Sequence, residues 1–390
     1  MRLSRAFGAA PRYFQKRRLR RALKTEVRDA AGSSTVATDL RQQTLDYLAS
    51  LAGPEVGTYR YSTSASLYTV YSSAFACMTR SLLGDIAPLT DDEREGWVSY
   101  FDRHQDAVDG LWRDPAVSGP DFEAGHWWGA RHLAPLVLSS YDALGSKPKL
   151  ELAWMNRLLD ASAVVGWLEG LDWDAGLDFT GNEVLNYGSV LQIIRDNSPT
   201  IEVQGAVKAM LGWLEEAVDP STGLWGPEPQ SKSARSRAVQ AAYHFWLLFA
   251  YEGMDIPYGD RAVEFVLRTQ NELGGYGVSV NSSACEDIDS IDPLVRLMKQ
   301  VPSRREEIEQ ALRWSLPWVL VNHNGQGAFS FRRGAGFEYG SAAMSAGPDE
   351  GSVFATWFRT LSLAYMTSAL GLPNDFTIRR FPGYEIAVDS

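Results

Sequence analysis

One turn returns six times along this chain and restricts what it can fold into. Short glycine-aromatic segments fall at GTYRY (Gly57), GLWRDP (Gly110), GLDWDAG (Gly170), GLWGPEP (Gly223), GGYG (Gly274) and GQGAFSF (Gly325), at intervals of 53, 60, 53, 51 and 51 residues. Glycine enters the left-handed region of a tight turn without strain, and the aromatic beside it packs beneath. Repeats of this length mark supersecondary units that bury their apolar faces against their neighbours.

Between turns the pattern is helical. After Gly223 come RAVQAAYHFWLLFAYEGM, a break at Ile256-Pro257-Tyr258, and DRAVEFVLRTQ. After Gly274 come DSIDPLVRLMKQ, a break at Val301-Pro302-Ser303, and REEIEQALRWSLPWVLVNH. Each unit therefore consists of a turn, a helix, a break and a second helix. The first helix is apolar nearly all round, as in HFWLLFA, which predicts burial. The second carries charge on one side, as in REEIEQALRW, which predicts a solvent face. Six such hairpins predict an all-α (α/α)6 toroid, with inner helices ringed by outer ones, rather than an open solenoid with end caps. The expected division is a basic arm over residues 1–30 and a single barrel domain over 31–390.

The arm holds ten Lys/Arg and two acids, or +8, which leaves about −19 on the remainder of a chain of net charge −11. An acidic body argues against nucleic-acid binding. The arm reads either as a helix on an anionic membrane surface or as a solvated or body-packed basic segment. Two cysteines, Cys77 and Cys285, with neither a secretory signal nor a long apolar run, point to the cytoplasm, with membrane association through the arm as an option.

Each glycine turn precedes an inner helix, so residues just beyond the turns gather at one mouth of the barrel. The polar and aromatic candidates there are His126, Trp127 and Arg131; Asn182, Glu183 and Asn186; Arg235, Arg237 and His244; and Trp357 and Arg359. Glu286, Asp287, Asp289 and Asp292 join them as four acids within seven residues. Such a cluster can be first-turn acids favoured by the helix dipole, a set of carboxylates that raise one another's pKa until one serves as a general acid, or ligands for Mg²⁺. A zinc set of Cys285, Asp287 and either His244 or His323 matches no strong spacing pattern.

VLRTQNELGGYG (Val266 to Gly277) resembles the repeat of the squalene-cyclase and protein-prenyltransferase superfamily, in which a glutamine precedes a glycine-aromatic turn. Asp287-Ile288-Asp289-Ser290 resembles the DxDD or DxDT segment of its class II terpene cyclases, apart from Ser290 in the fourth place. The resemblance implies a toroid whose Asp289 protonates an isoprenoid, with Asp287, Asp292 and Glu286 tuning it and the mouth arginines holding a diphosphate. A carbohydrate-active toroid, a glycosidase, lyase or epimerase acting on a bacterial surface polysaccharide, is the alternative. There a pair such as Glu183 and Asp289 supplies acid and base, and the mouth tryptophans stack on sugar rings. A non-catalytic scaffold is the third reading, and it predicts acids ion-paired to helix arginines.

Overall fold

The computed structural model describes residues 6–31, 39–125 and 127–388, with side chains from Arg18 onward. Fourteen α-helices are described: α1 (Ala6–Ala31), α2 (Asp39–Leu51), α3 (Val70–Leu82), α4 (Asp91–Asp102), α5 (Pro120–Ala124), α6 (Ala130–Ala143), α7 (Ala161–Glu169), α8 (Leu177–Asn197), α9 (Ile201–Ala217), α10 (Lys232–Tyr251), α11 (Gly259–Leu267), α12 (Ala284–Gln300), α13 (Arg305–Leu320) and α14 (Val353–Ala369). Two two-residue strands, β1 (Phe337–Glu338) and β2 (Ser345–Ala346), form an antiparallel pair.

Helices α3, α6, α8, α10, α12 and α14 each pack on the next in that order, and α14 packs back on α3. The ring is closed, and the fold is an (α/α)6 toroid. Helices α2, α4, α7, α9, α11 and α13 are the outer partners. Burial follows the sequence pattern. On α10, Ala241 through Phe249 are all buried. On α13 only Ile308, Ala311, Leu312, Ser315, Trp318 and Val319 are buried, while Arg305 pairs with Glu309 on the solvent side. Trp246 and Trp318 are core residues as expected, whereas Trp314 is 55% exposed.

The repeated turns hold the ring together. Gly57, Gly110, Gly223, Gly274 and Gly325 all have positive φ, and the neighbouring aromatics Tyr59, Trp112, Trp225, Tyr276 and Phe329 are buried. Gly274 has two reasons to be glycine: φ is +91°, and a Cβ there would lie 2.1 Å from the carbonyl oxygen of Trp314. The third turn departs from the pattern. Gly170 caps α7 with φ −84°, and the reversal is made instead by Asp172, whose carboxylate accepts the N–H groups of Asp174 and Ala175. Four inner helices start on a side-chain cap, from Thr69, Ser231, Ser283 and Ser352.

The described part of the basic arm is docked on the body. Helix α1 lies along α13, with Leu23 buried and Arg20 bonded to Glu272 at 2.6 Å. Glu26 pairs with Arg333 at 2.8 Å.

Gly274→Ala and Gly145→Ala separate sterics from backbone strain. Gly145 also has positive φ but open space around a Cβ. Gly145→Ala should cost about 1–2 kcal/mol. Gly274→Ala should cost roughly twice that or more, because backbone must also move. Urea denaturation of the two variants measures the difference.

Candidate functional site

The N-terminal ends of the six inner helices face one mouth. Below it lies a cavity of about 200 Å³. Each wall comes from one helix. His132 stands on α6, Asp178, Phe179 and Asn182 on α8, Gln240 and His244 on α10, Cys285 and Asp289 on α12, and Phe354 and Phe358 on α14. Trp127, Phe337 and Tyr339 close in from the mouth, and Tyr384 enters from the opposite end. A wider vestibule of about 380 Å³ adjoins it, lined by Ser233, Ser236, Arg237, Glu286 and Arg332 and sharing Trp127, Gln240, Cys285 and Phe337 with the pit.

The four clustered acids divide three to one. Asp287 is fully buried and ion-paired with the fully buried Arg359. Its oxygens also accept the Tyr276 N–H at 2.9 Å, the Ser282 hydroxyl at 2.7 Å and the Trp318 indole N–H at 2.8 Å. Arg359 donates onward to the carbonyls of Ser282 and Phe331, both at 3.3 Å. Asp292 pairs with Arg296 at 2.6 Å. Glu286 completes a capping box with Ser283 and pairs with Arg332 at 2.7 Å. Each of these three acids is thus paired to an arginine, and none of them is left to face the cavity alone.

Asp289 is different. It is 4% exposed and lines the pit, and among the described residues no hydrogen bond or ion pair reaches its carboxyl group. Burial, then the charges of Glu286, Asp292 and Asp287, push its pKa well above the usual carboxylate range.

The pit's imidazoles are neutral. Burial lowers His132 to about 3, helped by the charge of His244, and lowers His244 to about 4. The Nδ1 of His244 lies 2.7 Å from the Gln240 carbonyl oxygen, which can only accept. The ring proton therefore sits on Nδ1, and Nε2 is left as an acceptor. His132, on the helix diametrically across from α12, has Nδ1 3.2 Å from the Tyr71 hydroxyl and Nε2 3.3 Å from the Tyr384 hydroxyl. The Cys285 thiol is pushed far up by burial and by Asp289 and Glu286, so it is not a thiolate nucleophile. Among the described residues no group of three or more His, Cys, Asp or Glu is arranged to hold a metal ion, so neither the zinc set nor the Mg²⁺ set is assembled there.

Of the expected mouth residues, Asp289, Trp127, Asn182 and His244 line the pit, and Arg237 and Glu286 line the vestibule. Arg131, Glu183, Asn186 and Arg235 line neither chamber, and Trp357 and Arg359 are buried in the wall behind. His126 lies outside the described residues. The residues not anticipated in the pit are His132, Asp178, Gln240, Tyr339 and Tyr384. Two of them carried a signal in helical spacing: Asp178 with Asn182, and Gln240 with His244, are polar pairs four apart on one helix face.

No protein-family model and no curated protein matches the chain. The solved structures similar in shape include two (α/α) enzymes. One is an unsaturated glucuronyl hydrolase, named "UGL_D88N/dGlcA-Glc-Rha-Glc", at 12% identity and TM-score 0.45, over 83% of this chain and 94% of that one. The other is "Polysaccharide Lyase BACCELL_00875", at 11% identity and TM-score 0.45, over 88% of this chain and 97% of that one. Neither is a squalene cyclase, a terpene cyclase or a prenyltransferase, and the resemblance to that superfamily is corrected here. The cavity gives the physical reason. At roughly 200 Å³, with imidazole, amide and carboxyl groups set among its aromatic rings, it suits a small group with polar edges and not a long prenyl chain.

Two outcomes follow for stability. Asp287→Ala strands the buried Arg359 charge and should cost about 3–5 kcal/mol, whereas the double change Asp287→Leu with Arg359→Met should recover most of that loss. Denaturant titration of the three proteins measures it. A carboxyl that binds its proton more tightly when folded favours folding at low pH, and loses that benefit as pH climbs from about 4 through its folded value. Asp289→Asn should therefore raise stability by on the order of 1 kcal/mol at pH 8, with the margin closing as pH falls to about 4.

Proposed function

We propose that the protein is a carbohydrate-active (α/α)6 enzyme that hydrolyses a glycan, with Asp289 as the proton donor. The single observation that carries this is the carboxyl of Asp289, buried in a pit that is both polar and aromatic, with no hydrogen bond or ion pair to it among the described residues and its pKa raised by burial. Glycoside cleavage needs an acid that stays protonated at working pH and a second carboxylate to activate water or stabilise the cationic sugar. Asp178, half-buried two helices round the ring, is the second carboxylate of the pit. In the proposed reaction Asp289 gives its proton to the glycosidic oxygen as the C–O bond breaks. Asp178 takes a proton from the water whose oxygen bonds to the anomeric carbon. The neutral Nε2 of His244 and the amides of Asn182 and Gln240 are suited to sugar hydroxyls, and Trp127, Phe337 and Phe354 offer ring faces.

A scaffold without catalysis accounts for Glu286, Asp287 and Asp292, each paired to an arginine. It leaves no reason to bury Asp289 with no partner among the described residues, at a cost to stability.

Asp289→Asn should lower the release of reducing sugar from a responsive glycan by a factor of about 10³ or more. Asp178→Asn should lower it by about 10²-fold. A panel of neutral and uronate-containing oligosaccharides supplies the substrates, and unimpaired turnover by Asp289→Asn would remove the acid role.

A further inference from the structure

The end of the barrel away from the mouth is closed by the chain itself. Residues 377–387 run across the C-terminal ends of the inner helices. The Thr377 N–H bonds the Leu82 carbonyl at the end of α3, at 2.8 Å. The Arg379 guanidinium bonds the carbonyl and hydroxyl of Ser139 on α6, at 3.2 and 3.0 Å. Arg380 reaches the Tyr251 carbonyl at the end of α10. Arg296 on α12 bonds the Ile386 carbonyl at 3.0 Å, and the Tyr365 hydroxyl on α14 bonds the carbonyls of Tyr384 and Ile386 at 3.2 and 3.1 Å. Five of the six inner helices are thus tied to one segment. The segment is a hairpin in its own right, with Arg380 bridged to Ile386 and the Phe381 N–H on the Glu385 carbonyl at 3.0 Å. Its tip carries Tyr384, 6% exposed, into the base of the pit, where the hydroxyl meets His132.

We infer that the site is a blind pit for one terminal sugar, and that the enzyme works from chain ends and releases one unit at a time. This rests on the glycan reading above. An enzyme that cuts within a polymer must let the chain continue past the scissile bond on both sides. Here the chamber below the mouth is small, about 200 Å³, and its floor is Tyr384, so a chain that enters cannot run on through the barrel. The next sugar has space only in the vestibule, beside Arg237 and Arg332. The bond that is cut therefore joins the terminal ring in the pit to its neighbour above. Hydrolysis there consumes one water, frees one monosaccharide and leaves a polymer shorter by one unit with a fresh end.

The test uses the full chain and hexasaccharides labelled with a fluorophore at the reducing end, drawn from a β-glucan, a β-mannan and a uronate-containing polymer. The expected initial products are the labelled pentasaccharide and unlabelled monosaccharide, followed by the labelled tetrasaccharide. Labelled di- and trisaccharides at the initial rate would overturn end-wise action and leave the hydrolase reading intact. If no hexasaccharide is shortened and none shifts the melting temperature, the hydrolase reading falls and this inference with it. Tyr384→Ala lowers the floor, and the expected result is release of at least a tenfold larger share of disaccharide. An unchanged product ratio in a variant that melts cooperatively would overturn the role of Tyr384 as the floor.

Discussion

The ion pair between Asp287 and Arg359 is the contact on which the rest of the toroid depends. A fully buried guanidinium is expensive to desolvate, and here its two terminal nitrogens are met by the Asp287 carboxylate and the carbonyls of Ser282 and Phe331. Through Asp287 the pair fixes the fifth glycine turn at Tyr276, the start of α12 and the Trp318 ring of α13. Through Arg359 it fixes α14 and the loop at Phe331. Phe331 in turn stacks on Phe337 at 3.7 Å, and Phe337 is a wall of the pit. One polar knot in the wall thereby sets the shape of the cavity beside it.

That knot also explains why neighbouring acids have opposite fates. Positions 287 and 289 are two residues apart on one helix, about 200° round its axis. One side of α12 therefore looks into the wall, where Asp287 meets Arg359, and the other looks into the axis of the ring, where no described residue pairs with Asp289. An active site is expected to be the place where a fold leaves a group unsatisfied.

Much of the architecture was legible in the sequence, because a left-handed turn leaves a residue-type signature and a buried helix leaves a continuous apolar one. Gly170 shows the limit: the unit is present, but its reversal is made by the Asp172 side chain. The site was less legible. Asn182 faces the pit and Glu183 does not, since one residue turns a helix by about 100°. Arg359 lies 72 positions from Asp287, so no local pattern announces their pairing. Tyr384 stands beyond the last repeat, in a hairpin without periodicity. The acid motif that resembled a cyclase contains Asp289, which lines the pit, but the surroundings of that residue are set by parts of the chain far from the motif.

The ring closes where the Val353 N–H bonds the Tyr61 carbonyl at 2.9 Å and the Tyr47 hydroxyl bonds the Gly351 carbonyl at 2.9 Å. An open array can grow from any unit and stop anywhere, because each unit needs only its neighbour. Here the bonds that make the final seam join residues separated by nearly the whole chain, and their closure entropy must be met before they form. A ring open at that seam would present the apolar faces of α3 and α14 to its surroundings. The same closure that hides those faces in the finished protein makes its assembly a single long-range event.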